Sequence, residues 1–310
     1  MKSLKSGILT CAVFAAMSHP ALAWDKFAHM VVAQIACDHL KPAAKAQVVK
    51  LIALLPADPD VSDLADKYKP YNDVTVAAWM DDIRSASKQY NAWHYIDLPG
   101  APAGTHQTAA ALKTFATVNT PNVYDGIQNH CIPTLESSTA SDADKAKMLG
   151  FLFHLEGDIH QPLHAIDTLL GGNRFPIGEM AAADPDWHIT NLHSFWDNAY
   201  RYSVTDGKIA VTISDLDLPR TMTDGSGSAN DVAKEFEKEY ETQETQPAKD
   251  LDPADWGMES NDIATSFAFT AVQDQPLTPD YVTKASAIAR QRIVLAGLRL
   301  ANLLNSIYAK

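Results

Sequence analysis

Two stretches of this chain place metal-ligating side chains at helical spacing. In HLEGDIHQPLH, His154 and Asp158 stand four residues apart and His164 follows; in NLHSFWDN, His193 and Asp197 repeat the four-residue step. Residues four apart lie one above the other on a helix face, so each pair can grip one ion. A buried imidazole and carboxylate are costly unless paired or metal-bound, and both are ordinary zinc ligands. The chemistry suggested is metal-assisted hydrolysis; the plainer alternative is a buried His and Asp bonded to each other. His94 in NAWHYIDLP and Asp81 in VAAWMDDIR add a third cluster beside tryptophans.

The elements that must hold these residues read as helices. Apolar positions Met148, Phe151, Leu152, Leu155 and Ile159 recur at helical spacing, Ser141 and Asp144 resemble a capping box, and Pro162 forces a stop. Further helices are expected at Asp25 to His39, Ala43 to Leu54, Val74 to Lys88, Thr108 to Val118, Val123 to Leu135, Asn191 to Tyr200, Ala229 to Glu241, Pro253 to Ala271 and Pro279 to Tyr308. In the last, Ile293, Gly297, Leu300, Leu304 and Ile307 form a core stripe. Strand character is confined to pieces such as Ile209 to Ile213, so the fold class is all-α with at most a small β-hairpin. LDLPRTMTDGSGS, Leu216 to Ser228, reads as a surface loop.

The amino terminus carries Lys2 and Lys5, an apolar run from Gly7 to Met17, and small residues Ala21 and Ala23 before Trp24. That pattern predicts a signal peptide over residues 1–23 and an exported protein, periplasmic or secreted, of residues 24–310. The apolar run is short for a bilayer, so no membrane anchor is expected. Cleavage would leave Trp24 with a free α-amine, five residues before His29, and an amine with its own carbonyl can chelate a metal. Cys37 and Cys131 remain as an even pair, either one disulfide or two buried thiols. The formal charge of -13 argues against broad electrostatic binding to duplex DNA, but divalent ions can reverse the sign inside a cleft.

Taken together, Trp24, His29, the WxDxxR at Trp79 to Arg84, WHYID, HxxxDIHQPLH, GGN at Gly171 to Asn173 and NLHxxWD resemble the zinc-dependent class I nucleases of fungi and plants, the mung bean nuclease type. WGMES at Trp256 to Ser260 and AGLRLANLLN extend the similarity over almost the whole chain beyond residue 23. The resemblance implies a mainly helical single domain, related to zinc phospholipase C, with three zinc ions. One would take Asp81, His94, His154 and Asp158. A close neighbour would take the amine and carbonyl of Trp24, His29 and the other oxygen of Asp158, which becomes a bridge. A third, more open ion would take His164, His193 and Asp197.

Three dications against Asp81, Asp158 and Asp197 leave about +3 locally, which is where a phosphodiester would go. Zinc lowers the pKa of bound water to about 7, so attack on phosphorus near neutral pH is expected. The resemblance implies an endonuclease acting on single-stranded DNA and RNA, with 5'-phosphate products and scope for 3'-nucleotidase action. Arg84 matches the family's phosphate-binding arginine, and Asp158, Arg84 and Asp97 are the expected catalytic residues. Tyr95 would stack a base, Asp97 would meet the base edge, and Asn173 completes the substrate set. A nucleic acid or nucleotide substrate and a monomer are expected.

Two departures from the family pattern stand out. WDKFAH puts Asp25 and Ala28 where the family usually has glycines, adding a carboxylate beside the amino-terminal ion. The segment from Arg174 to Thr190 is longer than the family pattern and is expected to form a loop beside the open ion, and no lysine follows closely after Asp97, the next being Lys113 and Lys145. His160 points off the ligand face and reads as structural; His106, His130 and His188 lack spaced partners, and KEFEKEYETQE reads as a solvated helix face. Rival functions are a zinc phospholipase C-type phosphodiesterase, which shares the helical fold and amino-terminal tryptophan, and a non-catalytic zinc carrier.

Overall fold

Every residue from Phe27 to Cys37 is buried, so the first helix, α1 (Lys26–His39), is enclosed on all sides. The computed structural model describes residues 24–55, 71–84, 88–100, 107–180, 189–213 and 226–309. The signal peptide expected over residues 1–23, His106, His188 and most of the loop expected from Leu216 lie outside the described residues. Asp25 caps α1 by accepting from the Ala28 amide at 2.8 Å, a partner for one of the donors a helix start leaves unpaired.

Against α1 lies the longest helix, α11 (Pro279–Tyr308), started by Pro279 and by Thr278, whose hydroxyl accepts from the Tyr281 amide. Its thirty residues span about 45 Å. The stripe Ile293, Gly297, Leu300 and Leu304 is buried as expected, with Ile307 partly so. The third central element, α7 (Asp142–His160), is capped by Ser141 Oγ and is buried without a break from Leu149 to His160. It packs against α1, α11, α2 (Pro42–Ile52) and α10 (Pro253–Ser266).

The remaining α-helices among the described residues are α3 (Trp79–Ile83), α4 (Ala109–Val118), α5 (Val123–Asp125), α6 (Ile132–Glu136), α8 (Leu192–Trp196) and α9 (Ser226–Glu244). A mainly helical fold is thus established. The β content is one hairpin, β1 (Tyr202–Thr205) antiparallel to β2 (Lys208–Val211), with Tyr202 opposite Val211. Asp206 and Gly207, both at positive φ, close it, as a two-residue Asp-Gly turn demands.

Four expected helices are not continuous: Asn191 to Tyr200 divides into α8 and a 3-10 turn at Ala199–Arg201, Pro253 to Ala271 into α10 and a 3-10 turn at Ala268–Thr270, and two more are interrupted as follows. Over Val74 to Lys88, the Asn72 carboxamide accepts from the amides of Val74 and Thr75, a local turn that competes with α-helical pairing. The chain runs 3-10 over Thr75–Ala78 before α3, and a second 3-10 segment covers Lys88–His94. Over Val123 to Leu135, a π-helical turn at Gly126–Cys131 separates α5 from α6 and brings the Gly126 backbone against Trp93. α9 starts at Ser226, three residues ahead of its expected start.

The disulfide reading is corrected here: Cys37 and Cys131 are both free and buried. Cys37 on α1 donates its S–H to the Asp73 carbonyl at 3.2 Å, and Cys131 ends the π-helical turn. Burial pushes both thiols up, so neither is poised as a thiolate. No helix among the described residues is long and apolar enough to cross a membrane.

Candidate metal centre

The hub is the buried end of α7. His154 and Asp158 share one face as their spacing requires, with His154 Nε2 3.3 Å from Asp158 Oδ2. Gln161 ends the helix, its Oε1 accepting from the Leu163 amide, and the 3-10 turn Pro162–Ala165 then swings His164 back. Asp158 consequently faces four imidazoles. Its Oδ2 lies 3.0 Å from His94 Nδ1, and its Oδ1 lies 3.3 Å from His164 Nδ1 and 3.5 Å from His29 Nε2.

Three groups of buried donors result, each with its ligand atoms within 4.8 Å of one another: Asp81, His94 and His154; His29, His154 and Asp158; His164, His193 and Asp197. His29 stacks on His154 with ring centroids 3.8 Å apart. This stack is possible because residue 157 is glycine; a Cβ there would come within 2.6 Å of His29 Nδ1. The Trp24 indole donates to the Gly157 carbonyl at 2.9 Å, fixing the chain leading into α1 beside Asp158.

Main-chain carbonyls orient three of the rings. His154 Nδ1 donates to Ala77 O at 2.7 Å, His164 Nδ1 to His94 O at 2.9 Å, and His193 Nδ1 to Gly171 O at 2.6 Å. A proton held on Nδ1 leaves the Nε2 lone pair facing the other donors, the usual outer support of a metal-binding histidine. The Gly171 carbonyl is set by a left-handed turn in which Leu169, Leu170, Gly171 and Gly172 all have positive φ. A Cβ on Gly171 would meet Leu163 O at 2.5 Å.

The electrostatics ask for a cation. Burial opposes charge on His154, yet Asp158 and Asp81 outweigh it and lift the imidazole to about 9. Burial works against the Asp158 carboxylate too, but His154 and the hydrogen bonds from His154, His164 and His94 hold it well below the usual range. His29 and His94 are pushed down by burial. Asp197 is pushed up by burial despite the hydrogen bond from Gln161. The cluster thus already stabilises one positive charge between Asp81 and Asp158, where a dication would displace a proton. Both nitrogens of His29 and both oxygens of Asp81 are buried without a hydrogen-bond partner. Uncompensated imidazole and carboxylate donors of this kind fit a divalent metal.

A cavity of about 250 Å³ opens over this centre. Arg84, Tyr95, Asp97 and Asn173, all singled out from sequence, line it together with His94, His164 and His193. Tyr95 is 39% exposed and its carbonyl accepts from the Val123 amide, which anchors its backbone while the ring stays accessible. Burial pushes the Asp97 carboxyl up, with Asp167 adding to it. Asn173 spends an amide proton on Leu170 O at 2.8 Å.

Several side chains stand elsewhere. His160 is structural, as expected: its Nδ1 donates to Glu156 O and its Nε2 accepts from Arg299. His130 lies over Trp93 and 3.6 Å from Asp125. Lys113 is bound to Asp252, which agrees with the lack of a lysine near Asp97. The Asp25 carboxylate, expected beside the amino-terminal ion, instead binds Tyr200 and Arg201. The described ends of the 174–190 segment run antiparallel, Ile177 N to Thr190 O, and lean on residues 274–276. Gln161 went unassigned from sequence; fully buried, it donates to Asp197 Oδ1 at 2.7 Å. Its place directly after the metal-bearing helix, ahead of the breaking proline, was the available signal.

A family model described as S1/P1 nuclease matches residues 24–309. Endonuclease 4 of Arabidopsis thaliana is 28% identical over 323 residues, which cover 99% of this chain and 96% of that protein. Nuclease S1 of Aspergillus oryzae is 25% identical over 308 residues, covering 94% of each. Nuclease P1 of Penicillium citrinum is 24% identical over 292 residues, covering 92% of this chain and 98% of that protein.

Proposed function

This chain belongs to the S1/P1 nuclease family, and from that premise we propose that it is a zinc-dependent endonuclease hydrolysing single-stranded DNA and RNA to 5'-phosphate products. The observation that carries the reading is the single cavity that unites Arg84, Tyr95, Asp97 and Asn173 with ligand histidines of two donor groups. A phosphate contact and an accessible ring beside the donors are what a nuclease needs and a zinc carrier does not.

When bound, the zinc ions supply water acidified to a pKa of about 7 and offset the charge that builds on phosphoryl oxygens. Asp81, His94, His154 and Asp158 would hold one; Trp24 main chain, His29 and Asp158 a second; His164, His193 and Asp197 a third. Arg84 offers a planar guanidinium that clamps two phosphoryl oxygens. Tyr95 presents a face for a base, worth about 1–3 kcal/mol per stacked base, and only an unpaired base can reach it. Asp97 accepts from the base edge, and Asn173 adds a polar contact at the cavity wall. Asp158, faced by four imidazoles, would serve two ions with one carboxylate. In the same reading residues 1–23 are an export leader, residues 24–310 form one monomeric nuclease domain, and removal of the leader completes the Trp24 ligand.

The test is metal analysis of the purified protein together with cleavage of a single-stranded oligonucleotide, with and without chelator, and with phosphatidylcholine as a parallel substrate. Three zinc ions per chain and chelator-sensitive cleavage are expected. Lipid hydrolysis beside background nuclease activity would overturn the reading in favour of a phospholipase. Zinc binding without turnover would leave a carrier.

A further inference from the structure

Asp25 occupies a position where the family resemblance leads one to expect glycine, and its carboxylate is used four times. Oδ1 accepts from the Ala28 amide at 2.8 Å and from the Tyr200 hydroxyl at 2.7 Å. Oδ2 accepts from Arg201 Nε at 2.8 Å and from a second guanidinium nitrogen. The Asp25 amide donates to the Asp197 carbonyl at 3.3 Å. Arg201 is 3% exposed and its other arm donates to Ile213 O at 3.1 Å, so the guanidinium is itself fixed.

One side chain therefore joins two pieces of backbone that carry separate donor groups. On one side is the first turn of α1, with His29 next to Ala28. On the other is the 3-10 turn Ala199–Arg201, two residues beyond Asp197. Trp24 is held between them by its indole bond to Gly157 and by the edge of the Tyr200 ring, 6.3 Å from its own. Glycine could supply none of these side-chain acceptors and would leave the chain around Trp24 more conformational freedom.

We propose that Asp25 is a positioning residue that preorganises the Trp24 and His29 metal group and ties it to the His164, His193 and Asp197 group through Arg201 and Tyr200. This rests on the metal-centre reading above. Outer contacts that fix ligand geometry are worth about 10–100-fold in metal affinity. An exposed capping aspartate would affect only the stability of its helix.

The experiment compares the wild-type chain, expressed in full with its amino terminus read by mass spectrometry, with Asp25→Ala, Asp25→Asn and Arg201→Gln. Zinc affinity is measured by chelator competition on folded protein, alongside the visible spectrum of the cobalt-substituted forms. Asp25→Ala is expected to bind one ion at least ~10-fold more weakly and to lose part of the cobalt signal. Asp25→Asn, which keeps acceptors for Ala28 and Tyr200, should fall between, and Arg201→Gln should follow Asp25→Ala. Wild-type metal affinity and spectrum in Asp25→Ala, or in Asp25→Asn and Arg201→Gln should the alanine form not fold, would overturn the inference alone. A wild type that takes up no ion involving His29 would overturn the metal-centre reading and the inference with it.

Discussion

The two faces of α7 solve the same problem in opposite ways. On one, His154 and Asp158 meet His29, Asp81, His94 and His164 with more lone pairs than the protein has protons to give them. On the other, Glu156 and His160 meet a network supplied from α10 and α11. There Glu259 binds Arg299 through both its oxygens, at 2.7 Å each, and Arg292 at 2.5 Å. Arg292 also donates to His160 O and Ser260 Oγ, and Ser260 donates to Ile159 O. Asn261 donates to Ala165 O, on the turn that carries His164. Apart from Glu156, whose two carboxyl oxygens are buried without a hydrogen-bond partner, the second face is closed by the protein's own charges, whereas the first gathers several such donors at one place. Burial alone does not mark a metal site, nor does one uncompensated carboxyl; several buried donors that converge without internal compensation do.

The contrast breaks most sharply at Asp158. Asp158→Asn should remove the link between two donor groups, lower zinc content by more than His29→Ala does, and cut nuclease activity by well over ~100-fold. Equal losses in the two variants, read by metal analysis and oligonucleotide cleavage, would deny the shared carboxylate. Arg299→Ala attacks the other face. It should cost about 1.5–3 kcal/mol in denaturant unfolding, because it removes a fully buried guanidinium that bonds both oxygens of the partly exposed Glu259, while zinc per folded chain stays unchanged.

Chelation tests the metal face without mutation. For ions held at a free concentration a hundred times their Kd, removal should lower unfolding free energy by about 2.7 kcal/mol per ion. Arg299→Ala and wild type should lose the same amount, since Arg299 bonds His160, Glu259 and Pro247 and none of the donor residues. The smallest effect is expected at Glu156. Burial drives its carboxyl well above the usual glutamate range, against the pull of Arg299 and Arg292. A carboxyl that folding keeps protonated favours the folded state least at high pH, so its destabilising effect appears as pH rises above about 4.3. Glu156→Gln should therefore be more stable than wild type near neutral pH, and the gain should vanish below about pH 4. A pH-independent difference in melting temperature would contradict this.

Much of the centre was legible because its signals are side-chain types at fixed spacing. His154 with Asp158 and His193 with Asp197 follow helical geometry, and Pro162 ends α7 where it must. What sequence hid is mostly main chain. The carbonyls of Ala77, His94 and Gly171, which fix three imidazoles, belong to no residue type. The Asp25 carboxylate was legible as a charge near the centre, but its direction depends on Tyr200 and Arg201, far along the chain. The interrupted helices share this cause. Asn72 and the Gly126 approach to Trp93 act through contacts that hydrophobic periodicity does not register. Whether Cys37 and Cys131 pair was likewise a question of spatial placement, which an even cysteine count leaves open.

The depth of Trp24 has a practical corollary for handling the protein. Its side chain is fully buried and bonded to α7, so an affinity handle or carrier fused ahead of it starts from inside the core. The other end is different: α11 stops at Tyr308, and residues 307–309 are partly exposed. Fusion, labelling and attachment to a solid support belong at the carboxyl end.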